Sequence, residues 1–435
     1  MNNRNQWLKL DLSGNVYPTL QRKSFSSVFR VSVTLKEKVD PQILQKAYEK
    51  TLPRFPSLKV ALRKGLFWRY LEPNKNPVPQ VERDVKNPCM PMDFKTKHRY
   101  LIRLYYYECQ ISFEVFHSLA DGLGAVTFLK TLTAVYLRMR GVKIPDEEGI
   151  LSVEEEPKRE ELEDSYMKYA NSKVTPKRSQ GSAYRVRGTK EPFYTLNIIS
   201  GSMSVSDLKT ASKKYGVTIT EYLNAVLVYA LIENQKRSKV WREKPVRIAM
   251  PVNLRQFFPS KTLRNFITMI YPGVDPRMGE YSFEEILKEI HYYMRYHINE
   301  KFLNADITTN AKTLQSPLIR IVPLCIKDIV VKQFYKHVQD CQSSAGLTNP
   351  GIIKVPAEME PYLERFDVLM GQPFSARTNC AIVSYNGLTT INFASSIVEN
   401  DIERVFFRKL VEEGVAVTIQ SISCTLNISL SCSSG

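Results

Sequence analysis

The sequence predicts an α/β protein built as two similar halves, a pseudo-dimer with a cleft between them. Three observations carry this expectation. Strand and helix patterns alternate through the first 145 residues. The same kind of alternation returns after residue 190, and the stretch between them changes composition sharply. A chain of 435 residues is also longer than one ordinary hydrophobic core supports. The expected organisation is a first domain over 1–145, a crossover linker over 146–190 and a second domain over 191–435. The inter-domain cleft is the natural ligand site.

The elements follow in order. Phe25 to Leu35 alternates as a strand, and Pro41 to Leu52 has helical spacing through Ile43, Leu44, Ala47 and Tyr48. Val60 to Leu71 and Tyr100 to Phe116 read as further strands, with the proline- and asparagine-rich stretch from Pro73 to Pro91 as loop. Residues 146–164 carry ten acidic side chains against Lys158 and Arg159, and Lys173 to Lys190 is poor in large apolar groups, as suits a surface crossover that is partly mobile. In the second half, Thr218 and Glu221 have capping-box spacing ahead of an apolar helix. Lys244 to Met250 is a strand that runs into Pro251-Val-Asn-Leu-Arg255. Helices at about 282–300 and 400–413 flank a hairpin turned by Asn386-Gly387. The serine-rich tail from Ser421 alternates strictly and reads equally as an added strand or a frayed end.

Composition narrows the function classes. The longest mostly apolar run, Tyr222 to Ile232, is far short of the ~20 residues a spanning helix needs, so no transmembrane segment is expected. The N-terminus shows no apolar signal core, so a cytoplasmic location is expected. Seven cysteines are scattered without a Cys-x-x-Cys pair and read as reduced, mostly buried thiols. The histidines show no ligand spacing, so no metal is expected. A net charge of +17 without a dense basic block fits a solvated basic surface, or a field that attracts a polyphosphate ligand or an acidic carrier protein. Nucleic-acid binding would rest on charge alone and is not expected.

The most informative stretch is His117-Ser-Leu-Ala-Asp121-Gly122. Ile111, Phe113 and Val115 alternate with Ser112, Glu114 and Phe116, so His117 falls on the inward side of a strand. Leu129, Leu132, Tyr136 and Met139 then recur at helical spacing. The motif therefore sits at a strand-to-helix junction, where a scaffold presents a reactive group. On its own, an inward histidine is as a rule a hydrogen-bonded core residue.

His117-x-x-x-Asp121-Gly122 resembles the His-x-x-x-Asp-Gly motif of the chloramphenicol-acetyltransferase-like superfamily. Trp7-Leu-Lys-Leu-Asp11 with Tyr17-Pro18 is similar to the opening of its bacterial alcohol acetyltransferases. Leu52-Pro-Arg-Phe-Pro56, Gly65-Leu-Phe-Trp68 and Tyr70-Leu-Glu-Pro73 resemble the segments that follow there. Met250-Pro-Val-Asn-Leu-Arg255, Leu263-Arg-Asn-Phe266 and Thr348-Asn-Pro-Gly351 resemble segments of the second half. The likeness runs from about residue 7 to 415. Phe116 stands where many condensation domains have a second histidine, and the Asp-Phe-Gly-Trp-Gly element of the plant enzymes is missing. Both departures favour a stand-alone alcohol O-acetyltransferase-like protein.

The resemblance implies two acyltransferase-like α/β sandwich domains and transfer of an acyl group, most simply acetyl, from a CoA thioester to a hydroxyl or amine. It implies His117 as general base, Asp121 paired with an arginine of the second half, for which Arg255 is the candidate, and Gly122 as the residue that lets the chain turn into the helix without a Cβ clash. Acyl-CoA would be co-substrate and no cofactor would stay bound. Phe116, Phe266 and Asn349 are candidate cleft-lining residues, and the apolar character around Phe116, Leu119 and Phe266 suggests a hydrophobic alcohol. Two alternatives stay open: a condensation-like enzyme whose donor is an acyl- or peptidyl-carrier protein, and a non-catalytic binding protein on the same scaffold.

Overall fold

The computed structural model describes residues 7–21, 26–84, 87–93, 99–174, 181–192, 195–238, 243–334, 342–371 and 377–422. Two large sheets organise it. The first has five strands in the order Leu363–Met370, Val28–Leu35, Gln110–Phe116, Ile102–Tyr107 and Glu82–Arg83. The second runs Ile267–Ile270, Val246–Asn253, Ala345–Thr348, Thr378–Tyr385, Leu388–Ser395, Asn197–Ser204 and Thr418–Ile422, with Gly273–Val274 also paired to Val246–Asn253. A small third sheet joins Leu8–Lys9 to the hairpin Val60–Lys64 and Arg69–Pro73.

Local chemistry explains the main elements. Asp40 caps the helix Pro41–Thr51 by accepting from the N–H groups of Gln42 and Ile43. Thr218 and Glu221 form the expected capping box on Ile219–Arg237, a helix buried on nearly every side. Asn386 (φ 44°) and Gly387 (φ 77°) supply the two positive φ angles of the hairpin that pairs Tyr385 with Leu388. A second turn at Glu108, φ 47°, splits the expected strand over Tyr100 to Phe116 into the hairpin Ile102–Tyr107 and Gln110–Phe116. The expected strand over Val60 to Leu71 is likewise a hairpin.

The division into halves needs one correction. The strand Leu363–Met370, drawn from the expected second domain, pairs antiparallel with Val28–Leu35 and forms the edge of the first sheet. Its Phe366 meets Tyr385 of the neighbouring sheet edge to face at 5.1 Å, so one apolar core runs from the first half into the second. The acidic crossover is also not simply a surface linker. Glu161 is buried in a bidentate pair with Arg54, at 2.6 and 2.8 Å, and Tyr166 and Tyr184 are core residues. A charge run reads as solvated until a buried arginine claims one member of it. Residues 175–180 of that stretch, Phe25 and the tail beyond residue 422 lie outside the described residues. Among the thiols described, Cys89 and Cys380 are buried, Cys109 is half-buried and Cys325 is exposed.

Candidate active site at the seam of the two halves

The strand Gln110–Phe116 is the middle strand of the first sheet, flanked on both sides, so its end is a rigid platform. Both of its faces are buried. The His117 N–H donates to the Ser27 carbonyl at 2.8 Å, and the Leu119 N–H to Phe116 O at 2.9 Å. The Ser118 hydroxyl donates to Gly14 O at 2.8 Å. These bonds bend the chain off the sheet and turn it into the helix Gly122–Met139, whose N-cap is Asp121.

The His117 ring is sandwiched. Tyr17 stacks on it at 4.5 Å with 18° between the planes, and Phe29 packs at 4.8 Å and 53°. Its Nδ1 lies 3.1 Å from Asn265 Oδ1, a residue of the second half. The orientation of that amide is fixed from behind, because Asn265 Nδ2 donates to the His117 carbonyl at 2.9 Å and to Asp11 Oδ2 at 3.2 Å. Its Oδ1 must therefore accept, which puts the proton on Nδ1 and leaves Nε2 with its lone pair. Burial pushes the pKa of His117 below its ordinary 6.5, so the ring is neutral at pH 7.

Asp11 anchors this chain of contacts. Its Oδ1 accepts from the Gly14 N–H at 2.6 Å and its Oδ2 lies 3.6 Å from Arg264 Nη2. Arg264 in turn donates to Lys9 O at 2.5 Å and to Leu162 O at 3.2 Å. Burial raises the pKa of Asp11, and burial together with Asp11 pushes Asp164 up to about 7.

The carboxylate four residues past the histidine turns the other way. Asp121 Oδ2 accepts from Arg255 Nη1 at 2.7 Å and from the Phe266 N–H at 2.9 Å, while Oδ1 caps the helix through the Gly124 N–H at 3.2 Å. Both charged side chains are almost fully buried, at 2% and 8% exposure. Arg255 spends its other donors on backbone carbonyls, Thr262 O at 2.8 and 3.1 Å and Arg264 O at 2.6 Å, and on the side-chain oxygen of Asn253 at 3.3 Å. The pair thus rivets the helix start to the loop over 254–266.

Several expected roles change. At Gly122 φ is not positive, and a Cβ would come no nearer than 3.9 Å to Pro350, an ordinary contact, so this position does not demand glycine for the turn. The crowded glycine is Gly124, where a Cβ would lie 2.0 Å from the Leu263 carbonyl oxygen. Phe116 and Phe266 do not line a cleft. Phe116 is wholly buried in the first core, and Phe266 in the second between Tyr166, Tyr169 and Phe258. Leu119 is buried as well. Asn349 is half-buried and shapes a turn, donating to Thr220 Oγ1 at 3.0 Å and accepting from the Gly351 N–H at 2.9 Å. That turn presents Pro350 to the start of the Gly122–Met139 helix.

Sequence reasoning assigned no role to Tyr17, Asp11 or Asn265, although each lies in a segment that resembles the superfamily. Their signal was the presence of polar and aromatic residues inside those segments, far apart in sequence. Among the described residues, no group of three or more His, Cys, Asp or Glu side chains is arranged to hold a metal ion.

The architecture has solved counterparts. F. sporotrichioides TRI101, complexed with coenzyme A and T-2, superimposes with a TM-score of 0.61 at 14% identity, covering 94% of this chain and 98% of that one. Polyketide synthase associated protein 5 from Mycobacterium tuberculosis gives 0.59 at 13% identity, with 93% and 97% covered. This chain shares the fold of these solved proteins. The starter condensation domain of rhizomide synthetase matches over 93% of both chains at 10% identity, with a TM-score of 0.58. In sequence, residues 167–379 match the alcohol acetyltransferase family model, and no curated protein matches. The matched span holds Arg255 and Asn265 but not His117.

Proposed function

We propose that the protein is an acyltransferase that moves an acyl group, most simply acetyl, from a CoA thioester to a hydroxyl or amine acceptor, with His117 as general base. The observation that carries the reading is the geometry of the His117 ring, oriented by Asn265 through Nδ1 so that Nε2 keeps its lone pair at the seam of the two halves; burial, which lowers its pKa, favours the neutral form. The alcohol assignment draws on the family match over 167–379 and the CoA donor on the similarity to a fold solved with coenzyme A.

A neutral alcohol attacks a thioester slowly because its proton must leave as the C–O bond forms. In this reading His117 Nε2 takes that proton while the acceptor oxygen adds to the thioester carbonyl. The intermediate carries an oxyanion, and we assign the Gly122 N–H as a donor to it, since the first N–H groups of a helix lack intrahelical acceptors and sit at its positive end. Collapse breaks the C–S bond, and the imidazolium returns its proton to the departing thiolate. General acid–base help of this kind contributes ~10²–10⁴-fold. Asp121 and Arg255 stay out of the chemistry and hold the loop.

Release of free thiol from acetyl-CoA, followed with a panel of alcohols and amines and checked by mass spectrometry of the products, tests the reading. Transfer is expected from the wild type and not above background from His117→Ala. Equal rates from the two proteins would remove His117 from catalysis. The fold is shared with a condensation domain, which keeps a carrier-protein donor as a second reading. Thermal stabilisation by a phosphopantetheinyl carrier but not by CoA would favour it.

A further inference from the structure

The helix Leu324–Phe334 is turned inside out. Ile326, Ile329, Val330 and Phe334 fall on one face at helical spacing and are 50–61% exposed, while Leu324 is its only buried residue. It lies against the tip of the Val60–Pro73 hairpin, where the Leu324 N–H donates to Leu66 O at 2.8 Å and Lys327 Nζ to Phe67 O at 2.9 Å. That tip exposes Leu66 and Trp68, at 71% and 55%. The position is not loose: Asp328 is locked to Arg69 at 2.6 Å and accepts from Thr19 Oγ1 at 2.9 Å. Soluble proteins seldom leave aliphatic and indole side chains of neighbouring elements exposed together unless the surface meets something.

Charge says what. Residues 60–73 and 317–334 carry Arg63, Lys64, Arg69, Arg320, Lys327 and Lys332 against only Glu72 and Asp328, and both acids are already paired with Arg63 and Arg69. Lys64, Arg320 and Lys332 are exposed around the apolar face. We propose that this face docks the protein on a bilayer surface bearing anionic lipids. Tryptophan and aliphatic side chains enter the headgroup boundary, and the cations around them meet lipid phosphates. Such docking is peripheral, since no single helix among the described residues is long and apolar enough to cross a membrane. The face also adjoins the candidate site: Thr19, bonded to Asp328, belongs to the helix Tyr17–Leu20, whose Tyr17 stacks on His117.

Co-sedimentation of the full chain with vesicles of phosphatidylcholine alone, and of phosphatidylcholine with phosphatidylglycerol, tests the proposal without reference to activity. The mixed vesicles should bind more strongly, and added salt should weaken them. The double variant Ile329→Glu/Val330→Glu should lower the partition coefficient roughly tenfold or more, since both side chains lose apolar burial, while circular dichroism and melting stay those of the wild type. Lys332→Glu/Arg320→Glu should remove the preference for phosphatidylglycerol and keep weak binding to neutral lipid. Absence of vesicle binding, or equal partition of wild type and double variant, overturns the proposal. So does a wild-type dimer that the double variant makes monomeric, or an acidic carrier protein whose binding the variant abolishes while neither protein binds vesicles; those results assign the face to a second copy or to the carrier.

Discussion

His117 and Asp121 stand four residues apart and both reach across the seam to the same loop of the second half, yet they end in opposite situations. Asp121 is saturated. Arg255, the Phe266 N–H and the Gly124 N–H together satisfy its carboxylate, and it is buried. His117 is held by one ring nitrogen, with Asn265 fixing its tautomer and Tyr17 and Phe29 fixing its plane. The difference teaches how one short motif divides its labour. A carboxylate whose oxygens are all hydrogen-bonded builds the seam, and in the proposed mechanism the ring nitrogen that keeps its lone pair is the one that takes the proton.

The largest effect should come from removing that ring. His117→Ala is expected to lower kcat for acyl transfer ~10²–10⁴-fold, measured as thiol release, with a loss of stability of about 1–3 kcal/mol from the vacated ring site and the unpaired Asn265 Oδ1, smaller than the loss expected from breaking the ion pair. Breaking the saturated side should do the reverse: Asp121→Ala leaves Arg255 buried and uncompensated and should lose about 3–5 kcal/mol of stability in denaturant unfolding. If Asp121→Ala melted like the wild type, the rivet would not be structural.

Crowding at the helix start gives a sharper contrast. Gly124→Ala drives a methyl group into the Leu263 carbonyl and should destabilise by about 1–3 kcal/mol. Gly122→Ala, with only ordinary contact to Pro350, should stay within about 0.5 kcal/mol of wild type. Equal melting of the two variants would contradict the geometry at the seam.

The smallest effect is a shift. Burial lowers the His117 pKa while the bond to Asn265 raises it. A base works when deprotonated, so the acid limb of kcat/KM for the wild type should lie below pH 6.5, with activity rising as pH rises through it. Asn265→Ala removes one of the raising contributions, beside those of the His117 backbone and the Asp121 and Asp11 charges, and with it the tautomer control, so the limb should move to lower pH while kcat falls about tenfold. A variant that loses activity with its limb unmoved would make Asn265 a packing residue only.

Much of this was legible in the sequence. The junction at His117 was readable because a period-2 run followed by helical spacing is a local signal. Arg255 as partner of Asp121 came from resemblance, and the ion pair is where that resemblance implied. What escaped was long-range. Nothing in the order of residues says that Tyr17 and Asn265 meet on one ring with Asp11 behind the amide, since the contacts span up to 254 positions. Apolar character did not separate a cleft wall from a core, so Phe116 and Phe266 were read as lining and are buried. Alternation identifies a strand but not its sheet, which is why Leu363–Met370 belongs to the first sheet. An amphipathic stripe reads the same facing inward or outward, so the exposed face of Leu324–Phe334 appeared only in three dimensions.

The most direct test of the divided motif is to measure acyl transfer and melting side by side for His117→Ala and Asp121→Ala. The expected pattern is a crossing one, with His117→Ala losing its rate but remaining folded with the smaller loss of stability, while Asp121→Ala takes the larger loss of stability. His117→Ala protein that is folded and transfers acetyl at the wild-type rate would contradict it.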